Sequence, residues 1–238
     1  MELGVVLLVA GQSKRMGRTK ALLPWWNRLR VQVKEKQVWG ANQELVIDSI
    51  CMALRSLGDQ VPIVGVLGAS SSDTVMAKDM LRLRERLEDY GITCIENANP
   101  KAGQGVSLRL GVQALQDIVP LDGILCAVGD QPLLDASVVQ ALASTFEQVL
   151  EKDPQAIVVP RYQPEGHSGN PVVFASTWAQ VLQAIPGDQG GRSILQGAGA
   201  HHIFFVDVPS FYGMSRGRDI DTPEEYEEII RLVNEVVR

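Results

Sequence analysis

Seven short runs of apolar residues recur along the chain, at 3–9, 61–67, 92–95, 123–128, 156–159, 171–174 and 202–208. Their apolarity is nearly continuous rather than alternating, which is the pattern of a strand covered on both faces. Between them lie segments whose apolar residues return every three or four positions, at 45–57, 72–90, 106–116, 136–151, 178–185 and 223–237. The second of these also has a charged face (Lys78, Asp79, Arg82, Arg84, Arg86, Glu88). Strand and helix alternate, so the pattern predicts an α/β fold with a mainly parallel sheet between helical layers.

One segment departs from this rhythm. Residues 25–44 have no helical stripe, and "RLRVQVK" alternates polar side chains with Leu29, Val31 and Val33 as an edge strand or hairpin would. The insert holds Trp25, Trp26 and Trp39 and is basic, with Arg28, Arg30, Lys34 and Lys36 against Glu35 and Glu44. Two readings stand side by side: a hairpin that docks a partner through aromatic and Arg anchors, and a long tolerated surface loop.

Composition narrows the class. With 238 residues and 45% hydrophobic content the chain can bury one sizeable core, so a single domain over 1–238 is expected. A net charge of −6 argues against a generic nucleic-acid binder. Basic residues concentrate locally instead, at Lys14, Arg15, Arg18 and Lys20. No apolar run is long enough to span a membrane, and Glu2 before the first run speaks against a signal peptide. Cys51, Cys94 and Cys126 are far apart in apolar surroundings, as buried free thiols of a reducing cytoplasm would be.

The basic cluster falls directly after the first strand, in "LLVAGQSKRMGRTKALLP" (7–24). Ligands of a parallel sheet bind past the carboxyl ends of its strands. Gly11 and Gly17 let successive backbone N–H groups turn into one concavity, Ser13 adds a hydroxyl, and Arg15 and Lys20 add full charges. That is a cradle for a polyphosphate. It is neither G-x-x-x-x-G-K-[ST] nor G-x-G-x-x-G.

This loop resembles the L-A-A-G-x-S-x-R-M-G-x-x-K-x-L-L-P signature of the MobA-like nucleotidyltransferases, with Val9 for the first Ala, and most of all that of the molybdenum cofactor cytidylyltransferases. Guanylyl-transferring relatives usually have a second Gly where this chain has Ala10, so the resemblance points to CTP. "NPKAGQGVSLRLG" (99–111), "GDQP" (129–132), "GHSGNPVVF" (166–174), "GDQGGRSIL" (187–195) and "RDIDTPEEY" (218–226) extend the match, with Asn170 where many members have His and Gly191 for Ala. The resemblance implies a Rossmann-like three-layer α/β/α fold of the nucleotide-diphospho-sugar transferase type, with a mostly parallel sheet of about seven strands.

It also implies roles. Val9, Ala10, Gly11, Ser13, Arg15, Lys20, Gly105 and Ser107 would hold the nucleotide. Asp130 and Asp221 would hold Mg²⁺. Asn170, Asp188 and Arg192 would face the acceptor, and Arg15, Lys20 and Asp130 would be catalytic. Independently of the resemblance, Asp130 ends an apolar run on the rim of the phosphate loop, where an acidic side chain can hold a metal against a triphosphate. Asp135 is the better helix cap, and one of Asp219 and Asp221 could cap the last helix. His167 reads as a loop residue rather than a catalyst, and His201 and His202 read as structural.

The implied reaction is transfer of CMP from CTP to the terminal phosphate of molybdenum cofactor, with release of pyrophosphate. GTP or another phosphorylated acceptor is the alternative within the class, and a non-catalytic cofactor carrier the alternative outside it. A cytoplasmic protein is expected, with transient docking to a molybdoenzyme or its chaperone and with neither nucleic acid nor membrane as partner.

Overall fold

A computed structural model describes residues 1–11, 16, 19–25, 44–69, 74–187 and 189–236. Ser13, Arg15, Asp188 and most of the insert, including the predicted strand pattern at 28–34, lie outside the described residues.

The chain alternates as its apolar pattern requires. In order, the elements are β1 (Leu3–Val9), α1 (Val46–Arg55), β2 (Ile63–Gly68), α2 (Thr74–Asp89), β3 (Thr93–Asn97), α3 (Gln104–Gln116), β4 (Gly123–Val128), α4 (Ala136–Leu150), β5 (Ile157–Tyr162), β6 (His167–Ser168), β7 (Val172–Ala175), α5 (Ala179–Ala184), α6 (Arg192–Gln196), β8 (Ile203–Val208) and α7 (Pro223–Val236). The predicted sheet is present, and it has eight strands when the two-residue β6 is counted.

Its order is β3-β2-β1-β4-β7-β5, with β6 and β8 both paired to β5. The pairs β1–β2, β1–β4, β2–β3 and β5–β8 are parallel. The β4–β7, β5–β7 and β5–β6 pairs are antiparallel. The reversal at β7 follows from "EGHSGNP", whose polar and Gly residues make a short return that leaves no room for a crossover helix. β1 and β4 form the centre, and both they and β2 are almost wholly buried.

β1 is followed in the sheet by β2 on one side and β4 on the other, so the strand order switches direction between β1 and β4. Loops leaving adjacent strands diverge at such a point and open a crevice past the carboxyl ends. The loop after β1 and Gly129–Asp130 after β4 therefore meet there.

Two devices fix the flanks of this crevice. Asp48 on α1, 1% exposed, accepts the Leu45 N–H at 2.7 Å and receives Arg86 Nε and Nη2 from α2 at 2.6 and 2.8 Å. The insert leaves and returns through a paired stem: Trp25 N–H donates to Glu44 O at 2.7 Å, Val46 N–H to Leu23 O at 2.9 Å, and Pro24 bridges Leu45. Trp25 is buried, so it belongs to the core side of that stem.

Candidate active site

Past β1 and β4 the structure forms a cavity of ≈ 230 Å³. Of the predicted nucleotide and catalytic residues, Val9, Ala10, Gly11, Lys20, Ser107 and Asp130 line it. Thr19, Gly103 and Gln104 complete its polar wall. Gly103 has φ +104°, a conformation open to Gly at little cost, and it turns the chain directly into α3. The Ser107 hydroxyl accepts from the buried Asn97 amide at 2.9 Å, which leaves its own proton free to donate. Gly105 has another reason to be Gly. A Cβ there would come within 2.3 Å of Pro186 O and 2.6 Å of Gln189 O, so its absence lets the backbone of Pro186 and Gln189 pack onto α3.

Lys20 opens a short 3₁₀ turn, Lys20–Leu22. Its Nζ lies 3.2 Å from Asp130 Oδ2 and 2.7 Å from Asp221 Oδ1. Burial alone would lower its pKa, but the two carboxylates outweigh that and raise it. Burial pushes the Asp130 carboxyl up, and Lys20 pulls part of the way back. Asp219 is an exposed residue whose carboxyl is nevertheless pushed up to about 6, by desolvation first and then by the charge of Asp130.

Capping does not occupy these acids. Thr222 caps α7 with Glu225: Glu225 N–H donates to Thr222 Oγ1 at 3.2 Å, and Glu225 Oε2 accepts from Thr222 N–H at 2.8 Å and Asp221 N–H at 2.7 Å. Asp135 caps α4, accepting from Val138 N–H at 3.2 Å. Ile220 N–H donates to Asp130 O at 2.9 Å, which ties the 219–221 segment to the end of β4 and brings the two acids together.

A second cavity of ≈ 680 Å³ adjoins the first, and Leu8, Gln104 and Val128 line both. Its floor is one face of the sheet, contributed by alternate residues: Cys126 and Val128 of β4, Val172 and Phe174 of β7, Val159 of β5, Ile203 and Phe205 of β8. The predicted acceptor residues Asn170 and Arg192 line it, together with Gly190, Gly191 and Gln196.

His167 also lines this cavity, a residue that sequence reasoning set aside; its Nε2 lies 3.4 Å from Ser215 Oγ. Gln104 and Phe205 were missed as well. Spacing gave no sign of either, because they reach the site only through helix packing and strand order. His202 lies away from both cavities, with Nδ1 2.8 Å from Asp153 Oδ2. All three cysteines are free thiols.

A switch-point crevice with a Gly-rich loop on one strand, an acid on the next and a second chamber beside it defines a nucleotide-handling α/β protein. The chain belongs to the MobA-like NTP transferase family, whose model matches residues 5–203. It is 27% identical over 233 residues to the purine catabolism protein PucB of Bacillus subtilis, covering 96% of each chain. Among solved structures it is similar to Rv0371c of Mycobacterium tuberculosis in complex with manganese (21% identity, 97% and 99% of the two chains, TM-score 0.65). It is likewise similar to a nucleotidyl transferase of Methanothermobacter (18%, 99% of each chain, TM-score 0.66).

Proposed function

We propose that this protein is a Mg²⁺-dependent cytidylyltransferase that moves CMP from CTP to the terminal phosphate of molybdenum cofactor. One observation carries the reading. The cavity of the phosphate loop and Asp130 shares the wall Leu8, Gln104 and Val128 with a larger, apolar-floored chamber. A triphosphate in the first and a phosphorylated acceptor in the second would meet at that wall. Ala10, in place of the Gly usual in guanylyl-transferring relatives, favours CTP as donor.

In the step itself an acceptor phosphate oxygen attacks the α-phosphorus, the α–β phosphoanhydride bond breaks, and pyrophosphate leaves. A phosphomonoester loses its second proton near pH ~6, so the nucleophile is already anionic and needs no general base. The residues then position and neutralise. Lys20, Arg15, Ser13 and the N–H groups of Val9, Ala10 and Gly11 receive phosphate oxygens, and Ser107 donates from the start of α3. Gly105 admits the backbone of Pro186 and Gln189 against α3, and Asn170, Asp188 and Arg192 would hold the acceptor.

Asp130 and Asp221 fit a divalent cation because their carboxylates already converge on one positive atom, Lys20 Nζ. Among the described residues no three His, Cys, Asp or Glu side chains group to hold a metal. That suits Mg²⁺, which commonly takes one or two carboxylates and completes its shell with water and substrate phosphates. Bound there, the ion would offset charge on the α-phosphate and on the leaving pyrophosphate. The manganese complex of Rv0371c supports a divalent ion in this fold.

Among the described residues no helix is long and apolar enough to cross a membrane, and the proposed setting is the cytoplasm. The insert at 25–44 is proposed to contact the client molybdoenzyme or its chaperone, within a single catalytic domain. The likeness to a purine catabolism protein directs the search for that client to purine breakdown.

The test is pyrophosphate release with CTP, GTP, ATP and UTP, each with and without molybdenum cofactor, beside Asp130→Ala. Cofactor-dependent release with CTP, lost in the variant, is expected. Release with GTP alone would move the donor to guanine. Tight nucleotide binding without release under every condition would make the protein a carrier and end the transferase reading.

A further inference from the structure

Phe205 is an anomaly on β8. It is 50% exposed, on an edge strand, at a position where its neighbour two residues on is the charged Asp207. Nothing in the core requires a phenyl ring there. The ring nevertheless sits in a defined setting. β8 runs parallel to β5 in a register that pairs Val159 with Phe205 and Arg161 with Asp207. Arg161 donates from Nε to Asp207 Oδ1 at 2.6 Å and from Nη2 to Asp207 Oδ2 at 2.9 Å. The two-bond fork sets the plane of the guanidinium, whose carbon lies over the Phe205 ring, 5.5 Å from the centroid. Phe205 and Val159 line the second cavity, whereas Arg161 is not part of its wall. One side of the ring is therefore braced by protein, and the ring also borders a ≈ 680 Å³ chamber.

We propose that Phe205 is the platform on which the acceptor's conjugated ring system stacks, and that the Arg161–Asp207 fork holds that platform in position. The inference rests on the second cavity being the acceptor chamber, and it adds the chemical class that the chamber selects. Aromatic rings gain from offset stacking over an area that aliphatic phosphates lack. A planar heteroaromatic phosphate is thus preferred over a sugar phosphate of equal charge. The chamber supports this division. Its phosphate-loop end, at Leu8 and Val128, is shared with the nucleotide cavity, while Phe205 lies on the edge strand, three strands away from β4 in the sheet. Phosphate at the shared wall and ring toward β8 is the orientation that results.

The experiment is steady-state transfer from CTP to molybdenum cofactor by wild type, Phe205→Ala, Phe205→Trp and Asp207→Asn, with CTP affinity measured separately. Stacking on one aromatic side chain implies a rise of about tenfold in the cofactor KM for Phe205→Ala. A smaller change in kcat, unchanged CTP affinity and recovery in Phe205→Trp are expected. Asp207→Asn, which frees the fork, gives a smaller rise. An unchanged cofactor KM in Phe205→Ala overturns the platform, as does a matching loss of CTP affinity, which would mark general damage. If wild type transfers nothing to molybdenum cofactor, the proposed acceptor has failed on its own account. Direct binding of a free pterin then decides the platform. Fluorescence quenching by wild type but not by Phe205→Ala upholds it; equal quenching in both, or none in either, refutes it.

Discussion

Lys20 Nζ stands 2.7 Å from Asp221 Oδ1 and 3.2 Å from Asp130 Oδ2. In the proposed active site the ammonium thus occupies the point assigned to the divalent ion. The same lysine belongs to the phosphate loop, so a triphosphate offers it an alternative partner. Moving Lys20 onto phosphate would vacate the acidic pair as the nucleotide's own oxygens arrive to complete the metal shell. Lys20→Met should therefore bind Mn²⁺ more tightly than wild type when no nucleotide is present, by about an order of magnitude, the scale of one charge interaction of about 1.4 kcal/mol. It should also lose roughly 100-fold in turnover, because a preorganised cation is gone. Titration of free Mn²⁺ by electron paramagnetic resonance reads the first effect. Equal Mn²⁺ affinity in the two proteins would mean that the ammonium does not compete with metal.

Asp219 makes this corner of the protein sensitive to pH. Desolvation, then the Asp130 charge, push its carboxyl up to about 6, against an ordinary value of about 3.9. Between those values the folded state keeps a proton that the unfolded state has released. Stability from this group is then present below about pH 4 and is lost as pH rises through about 6. In the presence of chelator, Asp219→Asn should melt higher than wild type at pH 8, and the advantage should vanish at pH 4. Thermal melts across that range check it. A variant less stable at pH 8 would show that the carboxylate is held by favourable contacts.

The helix-sheet alternation was legible because it depends on a local rule: a strand buried on both faces must be continuously apolar. The motif after β1 was legible as a glycine-rich, basic stretch, and its phosphate role is part of the proposed function. The capping of α7 was half legible: "DTPEE" announces a helix start, but only the Thr222–Glu225 exchange shows that Asp221 is not the cap. Gly105 sits in a recognisable motif, yet the carbonyls of Pro186 and Gln189 are what demand a glycine. Those carbonyls lie about eighty residues further on, beyond the reach of spacing arguments. Phe205 was invisible for a similar reason. Its run, "HIFFVDV", announces a strand, and only the pairing of β8 with β5 brings it to the chamber.

The join between α1 and α2 is a buried ion pair, and its loss should be felt globally. Asp48 is 1% exposed and Arg86 meets it through two hydrogen bonds. Arg86→Ala would leave a buried carboxylate with the Leu45 N–H and the Tyr90 hydroxyl beside it and no cation to balance its charge. Removing one member of a buried pair typically costs about 3–5 kcal/mol, which for a chain of this size lowers Tm by roughly ten degrees. Differential scanning calorimetry of the variant checks this. A shift of only a degree or two would mean that water reaches Asp48 when the arginine is gone.

The stem of the insert yields the last prediction. Trp25 N–H to Glu44 O at 2.7 Å and Val46 N–H to Leu23 O at 2.9 Å hold the two ends of the insert side by side. Leu23, Trp25 and Leu45 are each at most 5% exposed, and Tyr226 Oη–H donates to Pro24 O at 2.6 Å. The core thus holds this stem from both sides. A two-residue Asn-Gly turn can join antiparallel neighbours, and loop length enters stability only logarithmically, at about 0.6 kcal/mol per doubling. Replacing residues 27–43 by Asn-Gly should leave Tm within a few degrees of wild type. It should also leave the proposed CMP transfer to free cofactor intact, because Lys20 lies on the 3₁₀ turn before the stem and Ile220 N–H to Asp130 O joins the two acids. Capture of the client enzyme should fall, as measured by co-purification with the proposed molybdoenzyme. Intact capture would make the insert a tolerated surface loop, and an unfolded product would mean that it supplies part of the core.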